Sequence, residues 1–107
     1  MDKQTYEYIQ KEVERLETAL DLEYWQVFYA DSILTHDIAE MQKEAMALSK
    51  AKVSNTDLYR DIQDKWDEAT YNAFHRILSE DQWDKYCKMG AARDKKARDK
   101  RAAKKKI

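Results

Sequence analysis

A chain of 107 residues with no proline and a single glycine has few means of making tight turns. Sheet-rich folds need many, because hairpin and reverse turns draw on Gly, Pro and Asn for backbone conformations that other residues adopt poorly. The expectation is therefore an all-α fold whose helices are joined by short links. The length suits one domain with a modest core. Aromatic residues make up 11% of the chain and charged residues 38%. Large apolar groups in so polar a chain argue against wholesale disorder.

Helix starts are written into the sequence three times. The fullest is Leu78-Ser79-Glu80-Asp81-Gln82-Trp83. Ser79 can cap the helix through its hydroxyl, and Gln82 can reach back to the Ser79 N–H. Leu78 and Trp83 can close over the first turn as a hydrophobic staple. Val53-Ser54-Asn55-Thr56-Asp57-Leu58 repeats the design, with Ser54 as the cap, Asp57 in the back-reaching position and Val53 and Leu58 as the staple. In Leu20-Asp21-Leu22-Glu23-Tyr24-Trp25, Asp21 is the cap and Leu20 and Trp25 form the staple, but Tyr24 stands where Gln or Glu would reach back. One helix must precede these starts, so four are expected, in antiparallel hairpins.

Helix 1 is predicted from about Thr5 to Ala19, with Tyr6, Ile9, Val13, Leu16 and Leu20 on one stripe. Helix 2 is predicted from Leu22 to about Lys50, roughly 29 residues or about 43 Å at 1.5 Å per residue. It is the long central helix, because it is apolar on two sides. One side carries Val27, Ala30, Leu34, Ile38, Met41, Ala45 and Leu48 at heptad spacing. The other carries Leu22, Trp25, Phe28, Tyr29, Ile33 and Ala39, with Ser32 and His36 among them, and Asp31 and Asp37 at the edges. Helices 1 and 4 are expected to cover this second face. Left open, Trp25, Phe28, Tyr29 and His36 form a candidate partner surface for a protein client or a second subunit. Helix 3 is predicted from Asn55 to Leu78, with Asp61 and Lys65 paired one turn apart. Tyr59, Ile62, Trp66, Ala69, Ala73 and Ile77 form its stripe, flanked by Leu58 and Phe74. Helix 4 begins at Glu80, and Gly90 either ends it or weakens it.

Charge divides the chain. Residues 1–92 hold 11 Lys or Arg against 19 Asp or Glu, whereas residues 93–107 hold 9 against 2. The expected organisation is a helical domain over 1–92 and a basic, solvated helical tail over 93–107. The tail's cations are Arg93, Lys95, Lys96, Arg98, Lys100, Arg101, Lys104, Lys105 and Lys106. Asp94 with Arg98, and Lys95 with Asp99, can support a solvated helix, and Lys104-Lys105-Lys106 should fray. Such a tail could dock on an acidic partner, an anionic lipid or RNA. It has no aromatic side chain to stack on a base, so no specific nucleic-acid recognition is expected.

No catalytic, cofactor or metal motif stands out, and the expectation is a non-enzymatic protein. His36 and Glu40 lie one turn apart, but no Cys or second His is spaced to complete a site, so His36 is expected to be partly buried and hydrogen-bonded. Neither His36 nor His75 has a Glu three residues before it, which disfavours a carboxylate-bridged metal pair. His75 falls opposite Trp66 and is expected to face solvent. Cys87 is alone and is expected in the core. With one glycine there is no phosphate-cradling loop. No segment approaches the length of apolar sequence that spans a membrane. Met1-Asp2-Lys3-Gln4 shows no apolar signal segment, so a cytoplasmic location is expected unless a signal peptide has been removed.

Leu78-Ser79-Glu80-Asp81-Gln82 resembles the LTxxQ motif of the Spy/CpxP-like periplasmic proteins, with Ser79 in place of Thr. That family carries the motif twice, and Leu20-Asp21-Leu22-Glu23-Tyr24 stands in a plausible place for the first copy. The resemblance implies a small helical, often dimeric cradle of long hairpins, exported to the periplasm. It further implies ATP-independent chaperone or adaptor activity in envelope stress, with no catalytic residues. The motif residues carry over only as helix caps: Leu78, Ser79 and Gln82, and more weakly Leu20 and Asp21.

Overall fold

The computed structural model describes residues 1–105, and these are all-helical, with no strand. The elements are α1 (Lys3–Leu20), α2 (Tyr24–Lys50), α3 (Thr56–Ile77), α4 (Glu80–Tyr86) and α5 (Ala92–Lys105). Short links join α1 to α2, α2 to α3 and α3 to α4, as the scarcity of turn residues requires. A wide helical turn, Cys87–Ala91, separates α4 from α5, and Gly90 within it has φ 121°. Side chains rarely enter that region, so the lone glycine kinks the fourth helix. The molecule is a slab of 43 × 36 × 17 Å.

Ile9, Val13, Leu16 and Leu20 of α1 meet Leu22, Ala30 and Leu34 of α2 and Phe74 of α3 in one core. Val27, Ile38, Ile77, Leu78, Trp83 and Tyr86 pack around it. Tyr6, assigned to the α1 stripe, is instead 58% exposed, because the stripe rotates away from the core before that turn. On α3 the deeply buried residue is Phe74, while Leu58 stays exposed.

The three expected helix starts fare differently. At α4 the box forms: Gln82 N–H donates to Ser79 Oγ at 3.2 Å and Ser79 N–H donates to Gln82 Oε1 at 2.9 Å. At α3 the cap is Asn55, not Ser54, and Asn55 Oδ1 accepts from Asp57 N–H at 2.9 Å. Leu58, expected to close a staple with Val53, is 41% exposed, and the Tyr59 hydroxyl donates to the Val53 carbonyl at 2.7 Å. At α2 the start lies two residues later than the sequence suggested. Asp21 ends α1 in the left-handed conformation (φ 52°, ψ 55°), and Glu23 is the first-turn cap of α2. Asp enters that region more readily than most residues, and no glycine is present to do so. Leu20 accordingly belongs to the α1 core and Trp25 to an open surface, so neither closes a staple.

This shift reveals a second box. Glu23 N–H donates to Gln26 Oε1 at 2.9 Å. Gln26 and Gln82 are thus equivalent positions in two helix starts, and their amides face each other. Gln26 Nε2 donates to Gln82 Oε1 at 2.7 Å, and Gln82 Nε2 donates to Gln26 Oε1 at 3.0 Å. Each amide also reaches the end of the other hairpin's preceding helix. Gln26 Nε2 donates to the Ile77 carbonyl at 2.9 Å and Gln82 Nε2 to the Leu20 carbonyl at 3.3 Å. Gln26 is only 4% exposed, so these bonds are made in a largely dry setting.

Truncating either glutamine removes a cap and leaves buried carbonyls without donors. Gln26→Ala and Gln82→Ala should each destabilise by about 1–3 kcal/mol in urea unfolding. The double variant should cost clearly less than the sum, because the two side chains bond to each other.

Candidate functional site

The surface that most needs explanation is the outer face of α2. The inner face buries Gln26, Ala30, Leu34 and Asp37 at helical spacing. The opposite face therefore points away from α1. Tyr24 is 92% exposed, Phe28 64%, Tyr29 49% and Trp25 47%. Of the face expected to lie under α1 and α4, Leu22 enters the core and Ile33 packs against it, but Trp25, Phe28 and Tyr29 stay uncovered, since the glutamine pair and the shared core draw both helices to the inner side. Tyr29 stands edge-on to Trp25 at 6.1 Å and to Phe28 at 5.7 Å. The Trp25 indole N–H donates to Glu23 Oε2 at 2.7 Å. The rings are thus held as a cluster, with one polar handle satisfied and the apolar faces open.

His36 lies farther along the same side of α2. Its ring is exposed, not partly buried, and stands edge-on to Trp66 at 5.9 Å. Nδ1 is 2.9 Å from Oδ1 of Asp37, whose carboxylate holds the imidazole above its usual pKa. Asp37 is itself buried and also accepts from the Thr70 hydroxyl at 2.8 Å. This ties α2 to α3 rather than building a metal site. Among the described residues, no group of three His, Cys, Asp or Glu is placed to hold a metal ion. His75 is exposed, as expected opposite Trp66, yet it stacks on Trp83 at 4.0 Å. Cys87 is half-buried rather than deep in the core.

The basic tail is not a solvated arm along its whole circumference. Acids on α3 and bases on α5 form an antiparallel ladder. Lys95 Nζ donates to Glu68 at 2.6 Å, and Arg98 donates to the same carboxylate at 3.0 and 3.1 Å. Arg101 grips both oxygens of Asp64 at 2.8 Å, and Lys105 pairs with Asp61. Arg98 is buried, and both it and Lys95 also lie over the Tyr71 ring. Two expected local pairs give way to this ladder. Asp94 meets Arg93 rather than Arg98, and Lys65 turns to Glu44 at 2.7 Å rather than to Asp61. The Lys95–Asp99 pair does form, at 3.0 Å. Arg93, Lys96, Lys100 and Lys104 remain exposed on the outer side of α5. Lys106 lies outside the described residues.

Sequence reasoning found Trp25, Phe28 and Tyr29 but missed Tyr24, whose place beside Trp25 was the available signal. It also missed Gln26, although Leu22, Gln26 and Val27 stand at the same offset from Leu78, Gln82 and Trp83, 56 residues for the glutamines. Among the described residues, no helix is long and apolar enough to cross a membrane. No protein-family model, curated protein or solved structure matches the chain.

The ladder should be sensitive to acid. Two hydrogen bonds from Arg101 hold the Asp64 carboxyl below its ordinary value of 3.8. Burial pushes Glu68 up, but Lys95 and Arg98 outweigh it and hold that carboxyl below 4.5. Carboxylates depressed by folding stabilise the docked helix fully above their unfolded pKa values and lose that contribution as pH falls through the folded ones. Amide-exchange protection of α5 should therefore hold near neutrality and fall below about pH 4, ahead of that of α1.

Proposed function

We propose that this protein is a non-enzymatic, ATP-independent holding protein for partly unfolded polypeptides. The observation that carries the proposal is the open aromatic cluster Tyr24, Trp25, Phe28 and Tyr29. Apolar rings fixed in place but uncovered offer weak, non-specific contact to apolar segments. The slab shape supports the same reading, because a broad face on a thin body presents much surface for few residues. No nucleotide is needed in such a cycle. A client binds while its own apolar groups are exposed and leaves when folding buries them.

The two glutamine-bearing starts, Leu22-Glu23-Tyr24-Trp25-Gln26 and Leu78-Ser79-Glu80-Asp81-Gln82, support the Spy/CpxP-like resemblance better than the register first considered. Membership of that family, export to the periplasm and a homodimeric state are part of the proposal and rest on that resemblance. Docking through the tail is the weaker reading. Lys95, Arg98, Arg101 and Lys105 are engaged by acids of α3, which leaves fewer cations for a partner.

At near-stoichiometric amounts and without ATP, the protein should suppress aggregation of a thermally unfolding model enzyme. Trp25→Ser/Phe28→Ser/Tyr29→Ser should keep its helical circular dichroism and lose most of that effect. Full suppression by the folded triple variant would sink the proposal, as would a folded wild-type protein with no effect.

A further inference from the structure

The aromatic cluster of α2 lies in a stretch of chain that carries no base. From Leu16 to Gln42 there is no Lys or Arg, while Glu17, Asp21, Glu23, Asp31, Asp37 and Glu40 all fall within it. Four of these acids border the open face. Glu23 Oε2 accepts from the Trp25 indole N–H at 2.7 Å, so its carboxylate stands at the edge of that ring. Asp21 is exposed at the corner just before the helix. Asp31 lies one turn beyond Phe28, and Glu40 one turn beyond His36. At about 100° per residue, Asp31 and Glu40 fall on opposite edges of the face.

These carboxylates are not neutralised within the molecule. Lys65 turns to Glu44, Arg98 to Glu68 and Arg101 to Asp64, all on the α3 side. His36, on the face itself, is held by Asp37. Among the described residues, no Lys or Arg nitrogen comes within 4 Å of a carboxylate oxygen of Asp21, Glu23, Asp31 or Glu40. Open rings and unpaired acids on one face suit the same partner. A basic side chain gains a charge-assisted contact at the edge and lays its stem on the rings, whose negative faces attract its charge. An acidic segment meets like charge on both edges.

We infer that the open face of α2 selects basic, apolar polypeptide segments and rejects acidic ones of equal hydrophobicity. The inference rests on the holding-protein reading and adds to it the class of client.

The test is a fluorescence-anisotropy titration of the full chain against two short dye-labelled peptides. One repeats leucine, phenylalanine, serine and lysine; the other has glutamate in place of each lysine. The lysine peptide should bind at least about tenfold more tightly, since several exposed charge contacts contribute a few-fold each. That margin should shrink as salt rises from about 0.1 M to about 1 M, over which the screening length falls from about 10 Å to about 3 Å. Glu23→Gln/Asp31→Asn should remove most of the preference, and Gln keeps an acceptor for the Trp25 indole. Asp31→Asn/Glu40→Gln, which leaves the cap of α2 untouched, should act in the same direction. Glu7→Gln/Glu14→Gln makes the same charge change on the exposed side of α1, away from its buried residues, and should leave the preference as it is. Equal binding of the two peptides would overturn the inference and leave the holding-protein reading standing, whereas binding of neither by the folded protein would sink both. An undiminished preference in both α2 acid variants would also overturn the inference. So would salt-sensitive self-association that covers the face with α5 of a second copy.

Discussion

The Gln26–Gln82 amide pair is the interaction on which the arrangement of helices depends. Each side chain caps its own helix, bonds its counterpart and answers a carbonyl at the end of a helix in the other hairpin. A lone buried amide would carry a desolvation penalty with little return. Two of them, mutually satisfied, fix where the α1–α2 and α3–α4 corners meet. Leu20, Leu22, Ile77 and Leu78 then lie beside that junction, and the apolar core grows outward from it.

Once the two corners are joined, α2 cannot bury both of its apolar sides. Ala30 and Leu34 face the shared core, while Trp25, Phe28 and Tyr29 face out. A thin slab has no second layer to cover them. The charged seam follows from the same economy of material. A fifth helix with almost no large apolar residue cannot dock by hydrophobic burial, so it docks through carboxylates spaced at one face of α3. Buried Arg98 is tolerated because Glu68 accepts two hydrogen bonds from it and Tyr71 offers its ring face.

The helical class was legible because turn-forming residues are nearly absent, and the α4 start because every element of its cap stands in place. The α2 start was misread for a physical reason. Asp21 is a good cap in one conformation and a tolerable left-handed terminator in another, and local sequence does not choose between them. The choice is made by Gln26, whose partner lies far along the chain. Ser54 and Asn55 posed a similar ambiguity between neighbouring capping residues. The seam was partly legible: Asp61, Asp64 and Glu68 share the spacing of Arg98, Arg101 and Lys105, but only the kink at Gly90 brings the two rows together. The open aromatic face was visible as a candidate surface, whereas its exposure followed from packing that single-helix periodicity does not contain.

Gly90 gives the seam a lever arm. The 14 residues of α5 extend about 21 Å at 1.5 Å per residue from the kink. A change of about 10° in the direction of α5 would displace its far end by roughly 4 Å at that length, and its near end hardly at all. The Lys95–Glu68 contact would survive such a swing, while Lys105–Asp61 and then Arg101–Asp64 would part. The helix is therefore hinged at one end and latched progressively along its length, so its far pairs register angular error at a single backbone position first.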